Sequence, residues 1–95
     1  MRNAQVILSK RATKDLQKIP RFLQVNFHRW VTYLTEVGYE ETQKVKGFHD
    51  EPLKGLREGQ RSVRLNRAYR VFYQVIAETQ EVIILNILEI NKHEY

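Results

Sequence analysis

Apolar residues recur along this chain with two different periods, and the change between them falls near residue 60. Val6-Ile7-Leu8 is a short apolar run suited to a strand, and Ser9 behind it is a residue type that caps helix N-termini. Over residues 10–19, Ala12, Leu16 and Ile19 fall at helical spacing until Pro20 breaks the run; a proline is tolerated in the first turn of a following helix. That second helix is the clearest element. Leu23, Phe27, Trp30, Val31, Leu34 and Val37 form one apolar stripe, and Gly38 follows as a C-terminal cap. The spacing predicts two antiparallel helices joined by a tight turn, with Phe27 and Trp30 in the core.

Residues 38–60 read as a polar connection holding Gly47, Pro52, Gly55 and Gly59. Beyond it the period becomes two: Val63 and Leu65 alternate with Ser62 and Arg64, and Val71, Tyr73 and Val75 with Arg70, Phe72 and Gln74. A turn near Asn66-Arg67 makes a hairpin of these two runs, and residues 78–81 turn the chain again. Residues 82–90 are almost continuously apolar, as expected of a central strand buried on both faces. The predicted order is β-α-α-β-β-β, an α+β fold spanning residues 1–95 as one domain. Two N-terminal helices pack on one face of a mostly antiparallel four-stranded sheet, and the other face stays at least partly open.

Composition narrows the chemistry. The chain has 95 residues, 42% hydrophobic and 28% charged, and no cysteine, so disulfides and thiolate catalysis are excluded. The apolar run at 82–88 is interrupted by Asn86 and is too short to span a bilayer, and residues 1–9 hold no long apolar leader, so a cytoplasmic location is expected. Sixteen Lys and Arg against eleven Asp and Glu give a formal charge of +5, which favours polyanionic partners such as nucleic acid or an acidic protein.

The distribution of that charge is more informative than its sum. Lys54, Arg57, Arg61, Arg64, Arg67 and Arg70 follow one another with only Glu58 among them. Strand parity sorts them: if Val63, Leu65, Val71, Tyr73 and Val75 face the helices, then Arg64, Arg70 and Phe72 face away. Arg64 and Arg70 then stand as neighbours across the hairpin, with Lys54 arriving from the preceding loop, in a constellation suited to gripping a phosphate. Arg57, Arg61 and Arg67 are expected to be solvated, paired with surface carboxylates, or diffusely attracted to an RNA backbone. His49-Asp50-Glu51 lacks a defined ligand spacing and reads as a solvated loop rather than a metal site, and no cofactor is implied.

The segments Glu51-Pro52-Leu53-Lys54-Gly55, Arg61-Ser62-Val63-Arg64-Leu65, Tyr69-Arg70-Val71-Phe72-Tyr73 and Lys92-His93-Glu94-Tyr95, in that order, resemble the RelE/ParE toxin superfamily. Within it the pattern is most similar to the RelE-, YoeB- and HigB-like mRNA interferases. The resemblance covers the whole chain and implies a type II toxin that cuts mRNA in the ribosomal A site, with the ribosome, mRNA and a cognate antitoxin as partners. It implies catalytic roles for Glu51, Lys54, Arg64, Arg70, His93 and Tyr95. The tail departs from the YoeB pattern of adjacent His and Tyr, because Glu94 separates them; His93 and Glu94 therefore compete for one place. A ParE-like protein that binds and inhibits DNA gyrase without cutting RNA shares the fold and the basic hairpin.

RNA carries its own nucleophile in the 2′-OH, so the chemistry asks only for orientation, proton transfer and charge stabilisation, without a metal. Arg70 suits the charge developing on phosphorus, with Arg64 and Lys54 sharing the grip. Glu51 and His93 are the candidate base and acid in either order, although neighbouring cations weaken a carboxylate as a base, and Glu51 could instead orient His93. Tyr95 suits stacking or a phosphate hydrogen bond.

Overall fold

The fold is that of a computed structural model that describes residues 2–92. Strand β1 (Asn3–Leu8) leads into α1 (Lys10–Lys18) and α2 (Arg21–Glu36), then a short α3 (Tyr39–Gln43). Strands β2 (Glu51–Pro52), β3 (Arg61–Arg64), β4 (Tyr69–Glu78) and β5 (Val82–Lys92) complete the chain, with single 3-10 turns at Lys46–Phe48 and Gly55–Arg57. The β-α-α order followed by strands is as expected for the α+β fold, with two additions: α3, and β2 as a fifth strand. Two residues of a polar loop carry no period, which is why β2 is silent in the sequence.

Local chemistry explains the boundaries. Ser9 caps α1, its Oγ accepting from the Ala12 amide at 3.0 Å and donating to the Leu88 carbonyl at 2.9 Å. Pro20 stands at the N-cap of α2, and Gln24 Nε2 donates to the Leu16 carbonyl at 2.8 Å, tying the turn between the helices. Gly38 has φ of 95°, a conformation natural to glycine, and its carbonyl accepts from Thr42 Oγ1 at 2.7 Å in α3. The hairpin turn forms where expected: Asn66 Oδ1 accepts from the amides of Ala68 (2.9 Å) and Tyr69 (2.8 Å).

The sheet order is β1-β5-β4-β3-β2, parallel between β1 and β5 and antiparallel elsewhere. The core lies between the helices and one sheet face: Leu23, Phe27, Trp30 and Leu34 from α2 meet Val63, Val71, Tyr73, Ile83, Leu85 and Ile87, all essentially inaccessible. Apolar burial of this kind contributes about 25 cal/mol per Å². Strand β5 corrects one expectation. It lies between two neighbours, yet Ile83, Leu85 and Ile87 are buried while Ile84, Asn86 and Leu88 are only half-buried, because the second sheet face has no helix over it. No helix among the described residues is long and apolar enough to cross a membrane.

Two bulges adjust this sheet. Tyr73 pairs with Ile87 but Phe72 pairs with Glu89, so Leu88 is an extra residue in β5; Val75 and Ala77 flank the second irregularity in β4. The first has a chemical purpose. Strict alternation from Ile83, Leu85 and Ile87 would send Glu89 into the apolar core. The bulge reverses the phase, so Glu89 emerges on the face of Phe72 and Ile90 returns to the core opposite Val71.

Candidate active site

Register assembles the site from three strands. Arg64 is the direct partner of Arg70, Ser62 of Phe72, and Glu51 of Ser62, so Glu51, Ser62, Arg64, Arg70 and Phe72 share the face away from the helices. The parity argument for Arg64 and Arg70 holds. Strand β2 is what brings Glu51 into this row, and Pro52, lacking an N–H, is tolerated because β2 is an edge strand.

Arg70 is buried, at 8% exposure, although it lies on the uncovered side. Its Nη1 is 3.4 Å from Glu51 Oε1 and 3.5 Å from Ser62 Oγ. The Nε–H groups of both Arg64 and Arg70 are buried without a partner among the described residues. Buried N–H groups of a cation are costly to leave unpaired, and an acceptor such as water or a bound anion meets that demand. On the far side of Glu51, Oε2 lies 3.3 Å from His49 Nε2. His49 holds a left-handed backbone with φ of 49°, unusual for a residue with a side chain. The carboxylate of Glu51 thus bridges an imidazole and a guanidinium.

The remaining basic residues separate. Arg57 stacks over Phe72 at 4.0 Å and pairs with Glu89, with its Nη1 donating to Gln60 at 2.8 Å. Arg11 reaches the other oxygen of Glu89 at 3.3 Å. Arg61 is the partner of Tyr73 and so points to the opposite face, where its Nε donates to Asp50 at 2.7 Å. Lys54 and Arg67 are exposed in the loops flanking β3. The expected strip therefore resolves into Arg64 and Arg70 at its centre, Arg57 over Phe72 on the same face, Lys54 and Arg67 in the flanking loops, and Arg61 outside it. His93, Glu94 and Tyr95 lie outside the described residues.

Asp50, absent from the expected site, anchors the loop that carries His49 and Glu51. Its side chain is 2% exposed and accepts from Tyr73 Oη at 2.6 Å as well as from Arg61. Tyr39 Oη is 3.0 Å from Tyr73 Oη and itself accepts from Gln43 Nε2 at 3.0 Å. Burial raises the Asp50 carboxyl above the ordinary range, opposed by the hydrogen bonds from Tyr73 and Arg61. Burial likewise pushes the Tyr73 and Tyr39 phenols up, so both stay protonated. Arg61 loses solvation but gains more from Asp50, and its affinity for a proton rises. His49 and Asp50 were legible only as residue types; the adjacency of a polar triplet to Pro52 was the sole signal.

A family model of the ParE toxin of type II toxin–antitoxin systems matches residues 6–93. Among solved structures, the chain is similar to the YoeB–YefM complex from Staphylococcus aureus, with TM-score 0.67 and 19% identity over 98% of this chain and 99% of that one. It is similar also to the toxin–antitoxin complex RelBE2 from Mycobacterium tuberculosis, with TM-score 0.64 and 19% identity over 94% and 96%. The DinJ–YafQ complex from Escherichia coli aligns with TM-score 0.66 and 16% identity over 96% and 94%. Identities at this level carry likeness of fold alone. No curated protein sequence matches the chain.

Proposed function

This chain belongs to the ParE toxin family of type II toxin–antitoxin systems, and we propose that it acts as an endoribonuclease, cleaving mRNA in the ribosomal A site without a metal ion. The observation that carries this reading is the pair Arg64 and Arg70, side by side, with buried Nε–H groups that have no partner among the described residues and Glu51 at 3.4 Å from Arg70. Such a pair suits the charge that develops when the RNA 2′-OH attacks the adjacent phosphorus. The new O2′–P bond forms as the P–O5′ bond breaks, leaving a 2′,3′-cyclic phosphate and a 5′-OH. One group takes the 2′ proton and another delivers a proton to the departing oxygen.

Arg70 and Arg64 hold the phosphate, and exposed Lys54 draws the strand toward them. Glu51 and His49 form one proton-handling pair, since they already touch; His93 and Tyr95 of the tail retain the roles that the resemblance implies. A cognate antitoxin is the expected partner, in keeping with the solved relatives captured as toxin–antitoxin complexes. A second reading, inhibition of DNA gyrase without RNA cleavage, is favoured by the ParE family match.

Cleavage mapping on translated mRNA, with and without ribosomes, tests the proposal. Wild type is expected to cut within ribosome-bound message and Arg70→Ala to lose about 100-fold or more in rate, typical of removing one transition-state donor. Intact message together with loss of supercoiling by purified gyrase would replace the nuclease reading by the gyrase one.

A further inference from the structure

Beside the strip, a cavity of about 250 Å³ opens between α2, the turn at Lys46–Phe48 and the end of β3. Asn26, Arg29 and Tyr33 line it from one face of α2, Phe48 from the turn, and Arg64 from the end of β3. Arg64 is therefore shared, lining the cavity while standing opposite Arg70. Tyr33 and Phe48 meet edge to face at 5.3 Å, and Tyr33 is more than a third exposed. Neither Arg29 nor Arg64 forms a salt bridge among the described residues, although Glu36 lies along the neighbouring groove beside Arg29 and Tyr33.

The contents of this cavity fit one nucleotide. Two cations suit a phosphate, an accessible aromatic ring suits a base, and Asn26 adds hydrogen-bonding capacity for a base edge, one amide hydrogen being given to the Leu65 carbonyl at 2.9 Å. Its volume is below the ~300–1,000 Å³ usual for larger ligands, which suits a single base or phosphate rather than a folded segment. We propose that this cavity is a second RNA subsite, which receives a nucleotide flanking the scissile phosphate and fixes the strand's direction across Arg64 and Arg70. The inference rests on the ribonuclease reading for the identity of the strand.

The test uses the full chain and 2′-O-methyl oligoribonucleotides of increasing length, which bind but lack the attacking hydroxyl. Wild-type affinity should step up once the oligonucleotide reaches the cavity. Arg29→Ala should flatten that step, weakening the longer oligonucleotides about tenfold and lowering the salt slope by about one. Arg29 is exposed, so its removal leaves folding intact, and Arg29→Lys should restore part of the step. An unchanged step in Arg29→Ala would overturn the subsite, as would perturbation of the Tyr33 NMR signals by polyglutamate but not by the oligonucleotides. Cleavage by wild type is scored separately. Cutting together with an unaltered step refutes the cavity alone; an Arg29-dependent step without cutting refutes the nuclease and leaves an RNA-binding subsite.

Discussion

Arg64 and Arg70 stand directly opposite each other on β3 and β4, two like charges at the same rung of an antiparallel ladder. Such pairs are destabilising in themselves, and Glu51 at 3.4 Å from Arg70 offsets only part of the repulsion. An oxyanion seated between them removes the conflict.

Sulfate should therefore stabilise the folded chain beyond its effect on ionic strength. A ligand at 100 times its Kd adds about 2.7 kcal/mol, and each kcal/mol raises Tm by about 4–8 °C in a domain of this size. Thermal melts in sulfate against chloride of matched ionic strength should show a rise of several degrees, mostly absent in Arg70→Gln. Equal melts in both salts would mean that the two arginines hold no anion.

Glu89 separates two other cations, Arg11 and Arg57, with its side chain 10% exposed. Replacing it by Gln removes the charge that both guanidinium groups face. The expected cost is about 1–3 kcal/mol in urea unfolding. Arg57, no longer held, should also loosen from Phe72, visible as a change in the Phe72 ring signals. A stability within error of wild type would show that solvent already satisfies both arginines.

Asp50 gives a pH dependence whose sign can be stated. Because burial raises its carboxyl above the ordinary value of 3.8, the folded chain binds this proton more tightly than the unfolded chain. The associated stability is fully present below pH 3.8 and is lost as pH rises through the folded value. Asp50→Asn lacks this dependence. The variant should lie near wild type at acid pH and become relatively more stable as pH climbs, each tenfold change in proton affinity amounting to about 1.4 kcal/mol. If the gap instead widens in favour of wild type, attraction to Arg61 outweighs desolvation.

His49 separates backbone from chemistry. Its left-handed φ of 49° costs of order 1 kcal/mol in a non-glycine residue. His49→Gly should leave stability unchanged or raise it slightly, while RNA cleavage falls about 100-fold if the imidazole handles a proton. Full activity in His49→Gly would confine the contact with Glu51 to a surface role.

The elements with a strong period were legible in advance: the stripe Leu23, Phe27, Trp30 and Leu34 is the buried face of α2, and alternation in β3 and β4 correctly set Arg64 beside Arg70. The sequence could not disclose features that depend on register. Glu51 enters the site through a two-residue strand, and Glu89 reaches it only because Leu88 is bulged out of phase. Arg61 belongs to the same basic run as its neighbours, yet parity and a buried aspartate take it to the other face.

The parallel pairing of β1 with β5 has a consequence in time. Asn3 meets Val82 and Leu8 meets Ile87, so the earliest strand has no partner until nearly all the described chain has been made. Local contacts within α1 and α2 and the hairpin that pairs Arg64 with Arg70 can form during synthesis, but the joining of that hairpin to β1 and the helices through the central strand awaits the emergence of β5 from the ribosomal tunnel. An unfinished chain is therefore expected to lack a stably packed sheet. Arrested nascent chains should generate folding force only after β5 has cleared the tunnel, and an earlier signal would contradict this order of assembly.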